Sequence, residues 1–229
     1  MTASPSRSIA SRSDKPTAPP LRQWIPASWT EYAALRDAPV QERTQLFFNQ
    51  ESLWIDMGGE GINHSSFNSL LTGLLFVWAI QHSEQLYTVL SCCLLEKPKT
   101  QACAPDLVLY VGDDYPQWQE GELRLIDLNR LRVPNLVGEI SDTTLATDLD
   151  EKKHLYAALK IPEYWVIDVR GRRVFAFELQ NGKYDTCTHS QALAGLPIAL
   201  LEQAIDRLAT ETNTRVAAWF AQQIAQLPA

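Results

Sequence analysis

The sequence predicts an α/β (α+β) fold, and three stretches predict it. Val133 to Asp168, VPNLVGEISDTTLATDLDEKKHLYAALKIPEYWVID, reads as strand, loop, helix, strand. Ala104 to Gly112, APDLVLYVG, is a nearly continuous apolar run bounded by Pro and Gly, the pattern of a strand buried on both faces. Arg173 to Leu179 alternates. Val174, Ala176 and Glu178 fall on one side, and Phe175, Phe177 and Leu179 on the other, as in one arm of a hairpin.

The remaining elements follow in chain order. Ser28 with Glu31 three residues later is a capping box for a short helix, SWTEYAALRDA. LFFNQESLWIDMGGEG suggests a strand or hairpin turning at Gly58 and Gly59. His64 to Gln81 carries Phe67, Leu70, Leu71, Leu74, Leu75 and Trp78 at helical spacing. Gln85 to Glu96 reads as a strand ending before Lys97-Pro98. The polar segment from Asp113 to Arg132 reads as a loop with a short amphipathic piece near its end. After the strand LVGEIS, Asp148 with Glu151 suggests a second capping box, and Pro162 forbids the helix to continue. EYWVID is a strand, Gly171 a turn, and Asn181-Gly182 a second hairpin turn. Leu200 to Leu227 reads as helical.

At 229 residues the chain has the length of one domain with trimmings, or of two small ones, and is long enough to bury a sizeable core. Residues 1–26, rich in Ser, Pro and Arg, are expected to be a disordered tail, and residues 27–229 a single domain with a C-terminal helix. The tail is not of secretory type, and no apolar run approaches the roughly 18 residues of a membrane span, so a cytoplasmic protein with no membrane partner is expected. The four cysteines show no CxxC spacing, which speaks against zinc. The tail is basic on an acidic body: the net charge is −7 and the pI about 5.1. That balance opposes a general polyanion binder, because nucleic-acid affinity rests on Lys and Arg. GGEG at 58–61 lacks the dinucleotide spacing, and no GxSxG elbow occurs. His82, His154 and His189 stand alone in the sequence and read as satisfied or surface histidines.

Three residues stand out chemically. Asp106 opens the strand Leu107–Val111, where a carboxylate must be paired, capped or metal-bound. Glu139 sits in the apolar run Leu136–Ile140, sharing a face with Val137. Lys152 falls on the stripe of Leu155, Tyr156 and Leu159, with Leu149 three residues before it, whereas Lys153 turns toward Ala157 and Lys160. Singly, each has a plain reading: a turn aspartate, a surface ion pair, a snorkelling lysine. Together, two carboxylates suit a hard divalent cation with phosphate oxygens completing its shell, and a lysine suits developing charge or an attacking water.

Pro105-Asp106, Glu139-Ile140-Ser141, then Thr144, Asp148, Lys152 and Tyr156, then PEYWVID at 162–168, resemble the Uma (DUF820-like) family of restriction-endonuclease type, in the PD-(D/E)XK nuclease superfamily. The resemblance covers about residues 53–184. It implies a restriction-endonuclease-like mixed β-sheet core flanked by α-helices. It implies Asp106, Glu139 and Lys152 as catalytic residues and Mg2+, with Mn2+ as a substitute, at Asp106, Glu139 and Ile140. The superfamily lysine two residues after the second acid is Ser141 here, and Lys152 matches a lysine moved to the next helix. His64 matches a histidine that starts the family's first long helix, with Glu60 beside it as a further ligand; Ser141 and Tyr156 complete the accessory set. The chain departs from the family in carrying Asp142-Thr143 where Pro-Ser is usual, and Lys160 where glycine precedes the PEYW run.

The expected activity is Mg2+-dependent hydrolysis of DNA phosphodiester bonds by a homodimer, since two sites related by a two-fold axis cut both strands. Two other readings accommodate the acidic charge: a non-catalytic binding or assembly protein of this fold, and a metal-dependent hydrolase of a small phosphorylated substrate.

Overall fold

A computed structural model of the chain describes residues 21–38, 44–57 and 60–227. Elements follow in this order: β1 (Ile25–Pro26), α1 (Trp29–Asp37), β2 (Thr44–Asn49), β3 (Ser52–Met57), α2 (Ile62–Gln81), β4 (Tyr87–Ser91), β5 (Leu95–Lys97), β6 (Gln101–Cys103) and β7 (Leu107–Val111). Then come β8 (Ile126–Asp127), β9 (Leu136–Ser141), α3 (Leu145–Leu149), α4 (Glu151–Ala158), β10 (Glu163–Asp168), β11 (Arg173–Gln180), β12 (Lys183–Thr186), α5 (Ile198–Arg207) and α6 (Asn213–Ile224).

The strands form two sheets, ordered β1-β3-β2-β6-β5-β8 and β12-β11-β10-β9-β7-β4. The second is mixed: β9 and β10 run parallel, joined by α3 and α4, while β7 and β11 flank them antiparallel. A parallel pair needs such a crossover. One face of this sheet, with Leu107, Leu136, Ile140, Trp165 and Val174, packs on α2, α5 and α6. The opposite face, with Val108, Val137, Tyr164, Val166 and Phe177, packs on α4 and on Phe47 and Trp54 of the first sheet. Helix α1, its Ser28–Glu31 capping box formed, seals the far side of the first sheet through Tyr32. The expected α/β (α+β) architecture of mixed sheets flanked by helices is therefore present. Among the described residues no helix is long and apolar enough to cross a membrane.

Several boundaries differ from the sequence reading, each for a local reason. Residues 1–20 of the expected tail lie outside the described residues, but Ile25 and Pro26 pair with Leu53 and Ser52 as an edge strand. Proline is tolerated at such an edge. The β2–β3 hairpin turns at Gln50-Glu51, both with positive φ (45° and 68°). The turn expected at Gly58 and Gly59 lies outside the described residues. The expected strand from 85 to 96 is two strands in different sheets, broken where Cys92 adopts φ 51°. The apolar run that opens at Ala104 holds a single strand, β7, with Asp106 just before it, and the chain changes sheet at this point: β6 belongs to the first sheet, β7 to the second. Asp148 does not cap a helix. It lies inside α3, and the chain bends at Asp150 (φ −119°, ψ −86°) before α4. The C-terminal helix is two, α5 and α6, with Thr212 capping the second through Arg215 N–H. Phe220 and Val216 bury against the domain's own core.

The end of α4 shows how the chain does without the expected glycine. Lys160 itself takes the left-handed conformation, φ 62°. Its N–H bonds Ala157 O at 3.0 Å, and Ile161 N–H reaches Tyr156 O at 3.2 Å, the paired bonds of a Schellman cap. A lysine there carries strain of about 1 kcal/mol that glycine lacks. Lys160→Gly is therefore expected to raise stability by about 0.5–1 kcal/mol, read as a higher urea midpoint at unchanged slope.

Candidate active site

Three chain segments converge at the mouth between the two sheets. The junction before β7 contributes Asp106, the C-terminal half of β9 contributes Glu139 and Ile140, and α4 contributes Lys152. They line a cavity of about 160 Å³ whose opposite wall is Glu60 and His64 at the start of α2. Arg22, Gln45, Asp56, Gly61, Asp142, Thr143 and Thr144 form the remainder.

Asp106 is 3% exposed. Its Oδ2 accepts Ile140 N–H at 2.7 Å and lies 3.1 Å from His64 Nε2, while Oδ1 has no hydrogen-bond partner among the described residues. Glu139, equally buried, accepts Lys152 Nζ at 3.0 Å on Oε2 and the Tyr156 hydroxyl on Oε1. Lys152 extends from the buried stripe of α4. Its Nζ lies 2.9 Å from Asp148 Oδ1, four residues earlier, and 4.1 Å above the centre of the Phe47 ring. Asp148 is fully buried, its Oδ2 taking the Thr144 hydroxyl at 2.6 Å and its carbonyl the Tyr164 hydroxyl at 2.8 Å.

The electrostatics follow from crowding. Asp106, Glu139 and Asp148 surround one ammonium group in a dry setting. Burial, aided by Asp106 and Asp148 and opposed by Lys152, pushes the Glu139 carboxyl up to about 8. Burial also acts against the Lys152 charge, but Glu139 and Asp148 outweigh it and raise its pKa above the ordinary lysine value. Burial likewise opposes protonation of His64, yet Asp106, Glu60 and Glu139 raise its pKa overall. Burial, then the Glu139 charge, lifts the Tyr156 hydroxyl well above its usual value, so it remains a donor.

All three residues singled out as catalytic, Asp106, Glu139 and Lys152, thus meet in one place, and Glu60, His64 and Ile140 line the same cavity. Tyr156 stands behind Glu139 rather than in the cavity. Ser141 does not line it, and its buried hydroxyl has no partner among the described residues. Lys153 turns away and lies over Phe177. Asp142 is at the rim, 3.4 Å from Arg170. Sequence reasoning took Asp148 for a cap, although its four-residue spacing to Lys152 is itself the signal of an ion pair on one helical face. Phe47, Arg22 and Asp56 carry no sequence signal, since only the approach of the first sheet brings them here. Arg22 donates to Asp56 at 2.8 Å and to the Thr143 hydroxyl at 3.3 Å, joining β3 to the loop after β9.

The donor set fits a divalent cation. Asp106 Oδ1 is a buried oxygen without a hydrogen-bond partner among the described residues, burial together with Asp106 and Asp148 raises the Glu139 pKa, and five carboxylates line the cavity against Arg22 and Lys152. Removing one member of the buried network strands another: Asp148→Ala is expected to lower unfolding free energy by about 3 kcal/mol, measured by denaturant titration.

A crystal structure described as "a putative nuclease belonging to DUF820", from Anabaena variabilis ATCC 29413, shares the fold with a TM-score of 0.52 at 16% identity, over 85% of this chain and 99% of that one. No curated protein matches the chain. The model of the Uma2 family, described as "Putative restriction endonuclease", matches residues 29–211, and by this match over most of its length the chain belongs to that family.

Proposed function

We propose that the chain is a metal-dependent nuclease that hydrolyses phosphodiester bonds in DNA, with Asp106, Glu139 and Lys152 as its catalytic residues. One observation carries this reading: a buried acid from the junction before β7, another from β9 and a buried lysine from α4 meet at a cavity open to solvent. A buried charge cluster is costly as mere scaffolding. The family description and the shared fold support it.

Asp106, Glu139 and Ile140 would hold Mg2+, or Mn2+ in its place. The cation, when bound, polarises the phosphodiester and lowers the pKa of a water. The chain's own residues do the positioning. Ile140 N–H holds Asp106 Oδ2, and Oδ1 has no hydrogen-bond partner among the described residues. Tyr156 and Lys152 hold the two oxygens of Glu139. Lys152, kept charged by Glu139 and Asp148, sets an ammonium group beside the place where phosphate charge develops. The lysine thus serves from a helix the role that the superfamily pattern gives to the position of Ser141.

The cavity is small and its rim acidic, with Asp56, Glu60 and Asp142 facing incoming phosphate. That observation favours the second reading, a metal-dependent hydrolase of a small phosphorylated substrate. Incubation with plasmid and oligonucleotide DNA in Mg2+ or Mn2+ separates the two. DNA cleavage is expected from the wild type. Lys152→Ala is expected to lower the rate by about 10²-fold or more while Mg2+ still binds. Cleavage at the wild-type rate by a clean Glu139→Gln preparation would place the chemistry elsewhere. We further propose a homodimer for double-strand cutting, which sedimentation of the intact chain decides.

Metal binding should depend on pH. Glu139 has a raised pKa of about 8, so its protonated form is favoured on folding. Its contribution to stability is full below the ordinary carboxyl value and is lost as pH rises through about 8. A cation needs the carboxylate and must displace that proton. Mg2+ affinity is therefore expected to rise from pH 6.5 to 8.5, by up to about tenfold per unit below pH 8, in calorimetric titrations. A flat profile would remove Glu139 from the ligand set.

A further inference from the structure

We propose that Arg22 and Trp24, which precede the residues matched by the family model, complete a groove for one nucleotide unit of a nucleic acid strand: Arg22 meets a phosphate at the cavity of Asp106, and Trp24 a base in the neighbouring cleft. The phosphate placement rests on the proposed function. The base site does not.

That cleft, of about 330 Å³ against about 160 Å³ for the cavity, is lined by Trp24, Asn49, Gln50, Ser52, Glu151 and His154. Its volume is in the range of small-molecule sites. Strand register puts cavity and cleft on one face of the β2–β3 hairpin. Gln45–Asp56, Phe47–Trp54 and Asn49–Ser52 are cross-strand pairs at every second position, so all six side chains share a face. The first pair lines the cavity and the last the cleft, with the two aromatic rings between them. Four strand residues make this separation about 13 Å. The N-terminal segment continues the three rows. Ile25 pairs with Leu53, the Trp24 ring lies 5.9 Å from that of Trp54, and Arg22 binds Asp56 at 2.8 Å. Helix α4 supplies the facing wall, with Lys152 in the cavity and Glu151 and His154 in the cleft.

The lining decides which part of a nucleotide goes where. No lysine or arginine lines the cleft, so it does not suit phosphate. It offers an indole, two amides, a hydroxyl and a carboxylate, the groups that stack on bases and read their edges. A second observation points to a ligand. Trp24 Nε1, a donor, and Asn49 Oδ1, an acceptor, are buried with no hydrogen-bond partner among the described residues. A base edge presents donors and acceptors side by side. At the cavity, Lys152 is buried between two acids, whereas the Arg22 side chain is 53% exposed. An exposed pair such as Arg22–Asp56 contributes little, so exchanging it for a phosphate costs little. Stacking needs no basic surface, which suits a chain of net charge −7. A base enters the cleft only when unstacked, so a single strand is expected to bind more tightly than its duplex.

Anisotropy titrations of a labelled DNA single strand, its duplex and an abasic strand test the inference. The full-length protein carries Glu139→Gln throughout, so that its proposed chemistry is blocked. Trp24→Leu is expected to weaken the single strand by about tenfold and the abasic strand by less than about twofold. Arg22→Gln should weaken both strands alike, by about fivefold or more, with partial recovery in Arg22→Lys. Trp118→Leu, which removes an exposed tryptophan on the loop after β7, should leave every affinity unchanged. Four outcomes would overturn the inference: full affinity in Trp24→Leu, equal loss for the abasic strand, the same loss in Trp118→Leu, or tighter binding of the duplex. If Trp24→Leu fails to fold, His154→Ala, at an exposed position of the same cleft, decides: single-strand affinity should fall by about threefold and abasic affinity should not. Wild-type protein that cleaves DNA, with Trp24→Leu at full affinity, removes the base site and keeps the nuclease reading. Base-dependent binding by a protein that cleaves no DNA does the opposite.

Discussion

The ammonium of Lys152 holds the site together. It is almost wholly buried, and it sits between Glu139 on the sheet and Asp148 of α3, four residues back. A lone lysine in that position would cost several kcal/mol, and so would either acid. Each therefore requires the others, and the requirement fixes α4 against β9. Tyr156 and Tyr164 extend the same constraint, bonding Glu139 and the Asp148 carbonyl from the two neighbouring elements. The network holds these charged groups in place at some cost in stability.

The site lies where the chain passes from one sheet to the other. The break at Pro105-Asp106 ends β6 and begins β7, and it leaves a carboxylate at the boundary rather than inside a ladder. The first sheet then serves as a wall. Phe47 covers the Lys152 ammonium, and Arg22 and Asp56 close the rim. This wall lowers the local dielectric, which strengthens the charge interactions inside the cavity and makes unpaired groups there expensive.

Much of the second sheet was legible in the sequence because its signals are local. LVGEIS and EYWVID are dense apolar runs, and RVFAFEL alternates with a period of two because one hairpin arm faces two different layers. Lys152 was legible for a related reason: a charged residue interrupts an otherwise apolar helical stripe, and that misfit is informative before any contact is known. The Ser28–Glu31 box was legible because both partners lie within one turn. The reading failed where a break has no composition signal. Cys92 adopts φ 51° without being glycine or asparagine, and Gln50-Glu51 turn a hairpin beside a more conspicuous Gly-Gly. Asp148 was misread because the same residue satisfies both a capping pattern and an i, i+4 ion pair, and burial chose between them.

The sequence by itself determined the mixed α/β character and the strands of the second sheet as separate elements, and it singled out Asp106, Glu139 and Lys152, because periodicity and burial cost act over a few residues. Only the tertiary structure decided that there are two sheets, that His64 stands between Glu60 and Asp106, and that Arg22, Phe47 and Asp56 enclose the cavity. Those placements depend on how distant segments pack, and no spacing rule within a segment encodes the direction from which another layer arrives.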